Sequence, residues 1–135
     1  MESEQQINKV TFRPTTKQFR ALEYLNDDIT EEVLFGGGAA GGKTVLGCFW
    51  IITGCLKYRG SRWLVGRAVL KSLKESTVKT LFDMLSNTFH FQKDVHYHYN
   101  EQAGFIRFYN GSEIVFKDLF LYPSDPEFDS LGSTE

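Results

Sequence analysis

Between Phe35 and Lys43 the chain reads Gly36-Gly37-Gly38-Ala39-Ala40-Gly41-Gly42, a run that packs almost no side chain. Such a stretch loses much backbone entropy on folding, and it is kept where something must approach the backbone closely. The preceding "EEVLFG" is apolar and predicts a short strand that runs straight into the glycines. The following "KTVLGCFWIITGCLKYRG" is apolar almost all round, which predicts a helix buried against a sheet, with Gly60 as its C-terminal stop. Strand, loop and helix together are the context of the pattern G-x-x-x-x-G-K-[ST], which residues 37–44 fit. Small residues let successive N–H groups turn inward into an anion-binding concavity, and the helix N-terminus adds donors and partial positive charge. Lys43 is placed to reach the β- and γ-phosphates of a nucleotide, and the Thr44 hydroxyl to ligate Mg2+. Gly37, Gly38, Ala39, Ala40, Gly41, Gly42, Lys43 and Thr44 are therefore the candidate triphosphate site. The bland alternative is a glycine-rich turn beside an incidental lysine.

A second signal lies upstream. In "FRPTTKQ", Pro14 biases Arg13 toward extended backbone, and a helix follows with Thr15 or Thr16 as N-cap and Phe19, Leu22 and Leu25 at helical spacing. Gln18 stands at the start of that helix. A glutamine amide can pair with adenine N6 and N7, and Phe12 can stack on a base, which favours ATP over GTP. The alternative places Phe12 in the core and Gln18 in solvent.

Downstream, "SRWLVGR" predicts a buried strand. "AVLKSLKESTVKTLFDMLSNTF" predicts an amphipathic helix with Leu70, Leu73, Val78, Leu81, Phe82 and Leu85 turned inward. From His96 the pattern alternates with period two through "VHYHYN", "AGFIRFYN" and "SEIVFKDL", and Tyr109-Asn110-Gly111-Ser112 supplies a hairpin turn. The fold class is α/β with an antiparallel hairpin edge.

A hydrophobic content of 41% supports a real core in one domain, behind an N-terminal tail of residues 1–11. A formal charge of −2 excludes a wholly basic surface without excluding a local basic patch. Cys48 and Cys55, seven apart, share a helix face at roughly 10 Å, too far to bridge, and read as buried free thiols of a reducing compartment. No apolar run approaches the ~18 residues of a membrane span. The closing "LYPSDPEFDSLGSTE" holds turn formers and predicts no element, so the domain reads as partial.

Other constellations carry less. His96 and His98 share a strand face without a nearby Cys, Asp or Glu at fitting spacing, which favours an exposed face over a metal site. Lys71, Lys74, Lys79 and Arg67 could meet DNA phosphates, yet Glu75 and Asp83 share the helix and favour a solvated face. Tyr97, Tyr99, Phe105, Phe108 and Tyr109 are expected in the sheet core.

"FRPTTKQ" followed by "VLFGGGAAGGKT" resembles the N-terminal ATPase region of the large terminase subunits of tailed bacteriophages. "RWLVGRAVLKSLKESTVKTLFDML", "FIRFYNGSEIVFKDL" and "DPEFDSLGSTE" are similar to later stretches of that family, so the resemblance runs from Phe12 to Glu135. It implies a P-loop NTPase fold of the RecA-like kind, a parallel sheet flanked by helices. The implied activity is an ATP- and Mg2+-dependent motor that drives double-stranded DNA into a procapsid in the cytoplasm of an infected bacterium. Its implied partners are a portal protein, a small terminase subunit and further copies in a homo-oligomeric ring, with no membrane.

Carried over, Gly37, Gly42, Lys43 and Thr44 match the phosphate loop and Gln18 the adenine-reading glutamine. Arg67 falls where the family carries an arginine near the nucleotide or subunit interface. Two departures stand out: residues 38–41 contain no arginine, and no apolar strand ends in an acid pair. Asp118 closes "EIVFK" but is followed by Leu119-Phe120, and the acids of "DPEFDS" read as a turn. The Walker B strand and a nuclease domain are thus expected outside this sequence, and the chain alone should hydrolyse ATP poorly. A helicase or recombinase-type ATPase, a non-catalytic nucleotide-binding scaffold and a small-molecule kinase are the alternatives.

Overall fold

The protein, described here by a computed structural model, is defined over residues 12–36, 42–68, 71 and 73–119. The expected tail, residues 37–41 of the glycine loop, Leu70 and the "DPEFDS" acids lie outside the described residues.

Helix α1 spans Thr16–Leu25 and opens on a capping box: the Thr15 hydroxyl accepts from the Gln18 N–H, and the Gln18 side chain accepts from the Thr15 N–H. This satisfies two of the donors that a helix start leaves without intrahelical partners. The expected inward stripe is displaced. Gln18 and Ala21 are buried, Leu22 and Leu25 are half-buried, and Phe19 is 55% exposed. The cause is the buried Gln18 amide, which is tied to the start of the next helix and rolls α1 onto its Gln18–Ala21 side.

Helix α2 spans Lys43–Lys57 and buries Leu46, Cys48, Ile51, Ile52 and Cys55. It packs tightly against the following strand β1, Arg62–Arg67: a Cβ at Gly54 would stand 2.5 Å from the Trp63 indole. Gly60, at φ +72°, turns the chain between the two elements, as its position predicts. The long helix expected next is divided into a π-helical turn, Leu73–Val78, and helix α3, Lys79–Asn87. Leu73, Val78, Leu81 and Leu85 face inward as expected, Phe82 packs partly, and Met84 joins them.

Strands β2 (Tyr97–Asn100), β3 (Phe105–Phe108) and β4 (Glu113–Asp118) complete a four-stranded sheet in the order β1-β4-β3-β2. The β1–β4 pair is parallel, and β4–β3 and β3–β2 are antiparallel. The fold is therefore α/β with the expected antiparallel hairpin at one edge, but the sheet is mixed, with one parallel pair among the described residues, where the resemblance implies a parallel sheet. Short turns join β2 to β3 to β4 and permit only antiparallel pairing, whereas the path from β1 to β4 is long enough for a parallel return.

A second correction concerns "EEVLFG". Residues 31–36 form no strand, and Leu34 is 99% exposed. A strand is stable only when its backbone groups are paired; among the described residues β1 pairs on one side, with β4, and nothing pairs residues 31–36.

Strand alternation sorts the sheet into two faces. Trp63, Val65, Ile106, Phe108, Ile114 and Phe116 turn toward α2 and α3 and form the core with Tyr97 and Tyr99. The opposite face carries Arg62, Arg107, Glu113 and Lys117, with Glu113 bridging Arg107 at 2.7 Å and Arg62 at 3.5 Å. Of the aromatics expected in the core, Phe105 lies on this outer face beneath the Arg107 guanidinium, and Tyr109 is 66% exposed in the turn. Both departures follow from register, since Phe105 is paired with Val115 and Tyr109 falls beyond the last strand pair.

The Asn-Gly turn does more than reverse the chain. Only Gly111 has positive φ, +87°, with Gly111 N–H donating to the Phe108 carbonyl and Phe108 N–H to the Ser112 carbonyl. This is a turn closed by a glycine bulge rather than a mirror-image two-residue turn. Asn110 Nδ2 donates to the Cys55 carbonyl at 2.8 Å, and Ser112 Oγ lies 2.8 Å from that carbonyl and 2.9 Å from the Tyr58 carbonyl. These carbonyls lie at the C-terminal end of α2, where no intrahelical donor remains. The Ser112 hydroxyl has one proton; with Asn110 already on Cys55, it serves Tyr58.

Ser112→Ala should therefore remove one hydrogen bond from the Tyr58 carbonyl, which keeps the Ser61 N–H at 3.2 Å, and cost about 0.5–1.5 kcal/mol. Urea denaturation is expected to show a lower midpoint with an unchanged slope.

Candidate functional site

Gly42 is the N-cap of α2, in left-handed conformation at φ 73°, and its carbonyl accepts the Leu46 N–H at 2.9 Å. The first-turn N–H groups beyond it, from Lys43 onward, have no acceptor within the helix by construction and point off its N-terminal end. Lys43 and Thr44 are exposed there.

They open on a cleft of about 970 Å³ between α2, β1 and the π-helical turn, lined also by Val45, Cys48, Trp50 and Ile51 and, from β1, by Leu64, Val65 and Arg67. Its far wall is Ser76, Thr77 and Thr80. Among the described residues the lining carries two cations, Lys43 and Arg67, and no acid. Cations and a helix N-terminus on the same concavity make it attractive to an anion.

Arg67 ends β1 on the helix-facing side, and its Nη1 donates to Ser76 Oγ. The π-helical turn is what sets Ser76 there, because a helix that widens by one residue re-aims the side chains on its rim. The turn is pinned to α2 in turn: Cys48 Sγ lies 3.8 Å from the Thr77 carbonyl. Asp118, at the end of β4, is the register partner of Arg67.

The cleft thus gathers Gly42, Lys43, Thr44 and Arg67 from the sequence-predicted set. Gln18 is 5% exposed behind it and donates Nε2 to the Gly42 carbonyl at 3.0 Å. Phe12 is elsewhere: its ring packs on Phe49 with centroids 4.3 Å apart, in a separate hollow beside α1. Gly37, Gly38, Ala39, Ala40 and Gly41 lie outside the described residues.

Sequence reading missed Ser76, Thr77 and Thr80. Their signal is the cluster of hydroxyls in "ESTVKT", which a smooth α-helical reading assigns to a solvated face. It also missed the Gln18–Gly42 bond, although Thr15-x-x-Gln18 is a legible capping box.

Among the described residues no group of three His, Cys, Asp or Glu could hold a metal. His98 Nδ1 instead meets Asp94 Oδ1 at 3.1 Å, and His96 stacks on Phe91. Among the same residues no helix is long and apolar enough to cross a membrane.

The described residues thus define an α/β chain with a mixed sheet, helices on one face and an anion-receptive cleft at a helix N-terminus. Comparison with protein-family models, with curated proteins and with solved structures finds no match.

Cys48 in the cleft wall and Cys55 deeper on the same helix are both free, and burial pushes each thiol from 9.0 up to about 12. Unfolded thiols begin to release protons near pH 9 while the folded ones keep theirs. This contribution to stability is therefore full below pH 9 and is lost as pH rises toward 12. Denaturation midpoints between about pH 7 and about pH 11 should fall less steeply for a Cys48→Ala, Cys55→Ala double variant than for the wild type.

Proposed function

We propose that this chain is the ATP-binding part of a viral DNA-packaging motor of the large terminase kind, with a P-loop NTPase fold. The observation that carries the reading is the placement of Lys43 and Thr44 on the first turn of a buried helix, in one cleft with Arg67. The five stretches in family order, from "FRPTTKQ" to "DPEFDSLGSTE", supply the rest of the support.

In this reading the amides from Gly37 to Thr44 wrap the β- and γ-phosphates. Lys43 neutralises their charge, and the Thr44 hydroxyl holds Mg2+ together with phosphate oxygens and water. Magnesium keeps most of its own waters and needs only one or two protein oxygens beside the phosphates, so a lone hydroxyl fits its demands. Arg67, held by Ser76, faces the terminal phosphate or a neighbouring subunit.

The motor as a whole would act on double-stranded DNA as a homo-oligomeric ring, with a portal protein and a small terminase subunit, in the cytoplasm of an infected bacterium. A non-catalytic nucleotide-binding scaffold is the second reading. It is favoured by one observation: no described strand ends in a pair of acids, since Asp118 is followed by Leu119.

The test is MgATP binding to the chain by calorimetry. Wild type should bind weakly, and Lys43→Ala should lose at least about tenfold, the worth of one charge-assisted phosphate contact. Equal affinity of the two proteins would remove Lys43 from the site. Turnover by the chain should stay near background whether or not DNA is added.

A further inference from the structure

Gln18 stands where a base-reading glutamine is expected, yet both ends of its amide are already in use. Oε1 accepts the Thr15 N–H at 2.9 Å and Nε2 donates to the Gly42 carbonyl at 3.0 Å. The fit is close from the other side as well: a Cβ on Gly42 would stand 2.3 Å from Nε2. One buried amide therefore joins the start of α1 to the start of α2.

Reading adenine asks the same two atoms to face outward, Oε1 toward an exocyclic amine and Nε2 toward a ring nitrogen. A side chain 5% exposed has no such outward edge. Phe12 is no more available, since its ring is packed on Phe49 in a hollow shared with Pro14, Phe19 and Leu22, apart from the cleft.

We infer that Gln18 is a positioning residue: it fixes Gly42, and with it the direction of the α2 first-turn donors, so that the site takes triphosphates with little discrimination among bases. The inference rests on the phosphate-binding reading above. It differs from that reading in what it says of the base.

The wild-type chain is titrated with MgATP, MgGTP, MgCTP and magnesium tripolyphosphate. A bidentate base contact is worth at least about a factor of ten, so nucleotide affinities within about tenfold of one another are expected. A larger preference for ATP would overturn the inference. Failure of all four ligands to bind would sink the phosphate site itself, and the inference with it.

Two variants separate clamping from capping. Gln18→Glu keeps the Thr15-x-x-Glu capping box but turns a carboxylate toward the Gly42 carbonyl, where a donor is needed. Affinity for all four ligands should fall together by about tenfold, tripolyphosphate included, and should recover relative to wild type as pH drops and the carboxyl gains a proton to donate. Gln18→Met, of similar shape and without a donor, should show the loss and no recovery. A loss confined to ATP, or none in either variant, would overturn the assignment. Should both variants unfold, the wild-type ranking of bases decides alone.

Discussion

The carbonyls of Gly42 and Cys55, near opposite ends of α2, each accept a side-chain amide from a distant part of the chain. Gln18 reaches the first and Asn110 the second. The helix between them gives Cys48, Ile51, Ile52 and Cys55 to the core that the sheet and α3 also line, so its position bears on both. Helix ends leave groups unsatisfied that a core cannot tolerate. Asn110 meets that demand at the C-terminal end, Gln18 adds a second bond to a carbonyl that already holds the Leu46 N–H, and together they tie two separate segments to one rod. The cleft exists because the rod is held at a fixed angle, with its N-terminal end open beside β1.

The chemistry of the cleft follows from the same arrangement. Parallel strands β1 and β4 end together, which sets Arg67 beside Asp118 at the rim. Helix α2 begins in the same cleft, where Lys43 and Thr44 share the lining with Leu64, Val65 and Arg67 of β1. Val45, Ile51 and Val65 give one side of the cleft an apolar lining, beside which a charge is worth more than in open water. A polar ligand would meet hydroxyls at Ser76, Thr77 and Thr80 along the far wall.

Much of this was legible in the residues. Helix α2, the β3–β4 hairpin, the stripe of α3 and the buried thiols follow from periodicity, turn chemistry and spacing. What escaped has one physical origin: it depends on partners distant in sequence. The apolar run at residues 31–36 satisfies a strand pattern, but a strand exists only by pairing, and pairing is not written locally. Phe19 has the spacing of a core residue and is exposed because Gln18, a polar side chain, claims the buried side of α1 through its bond to Gly42. The mixed sheet is likewise a matter of which loops are short. Local propensity names candidates, and tertiary hydrogen bonds choose among them.

The π-helical turn at Leu73–Val78 makes this region sensitive to length rather than to composition. A widened turn holds one residue more than the α-helix that would otherwise run through it. Removing Thr77 there would let ordinary helix close up and swing the preceding side chains, Ser76 among them, by about 100° about the axis. Ser76 would leave Arg67, and the arginine at the rim of the cleft would lose that hydrogen bond. A one-codon deletion would here move the rim of the cleft and the buried Leu73 together, so the same turn serves both the site and the core.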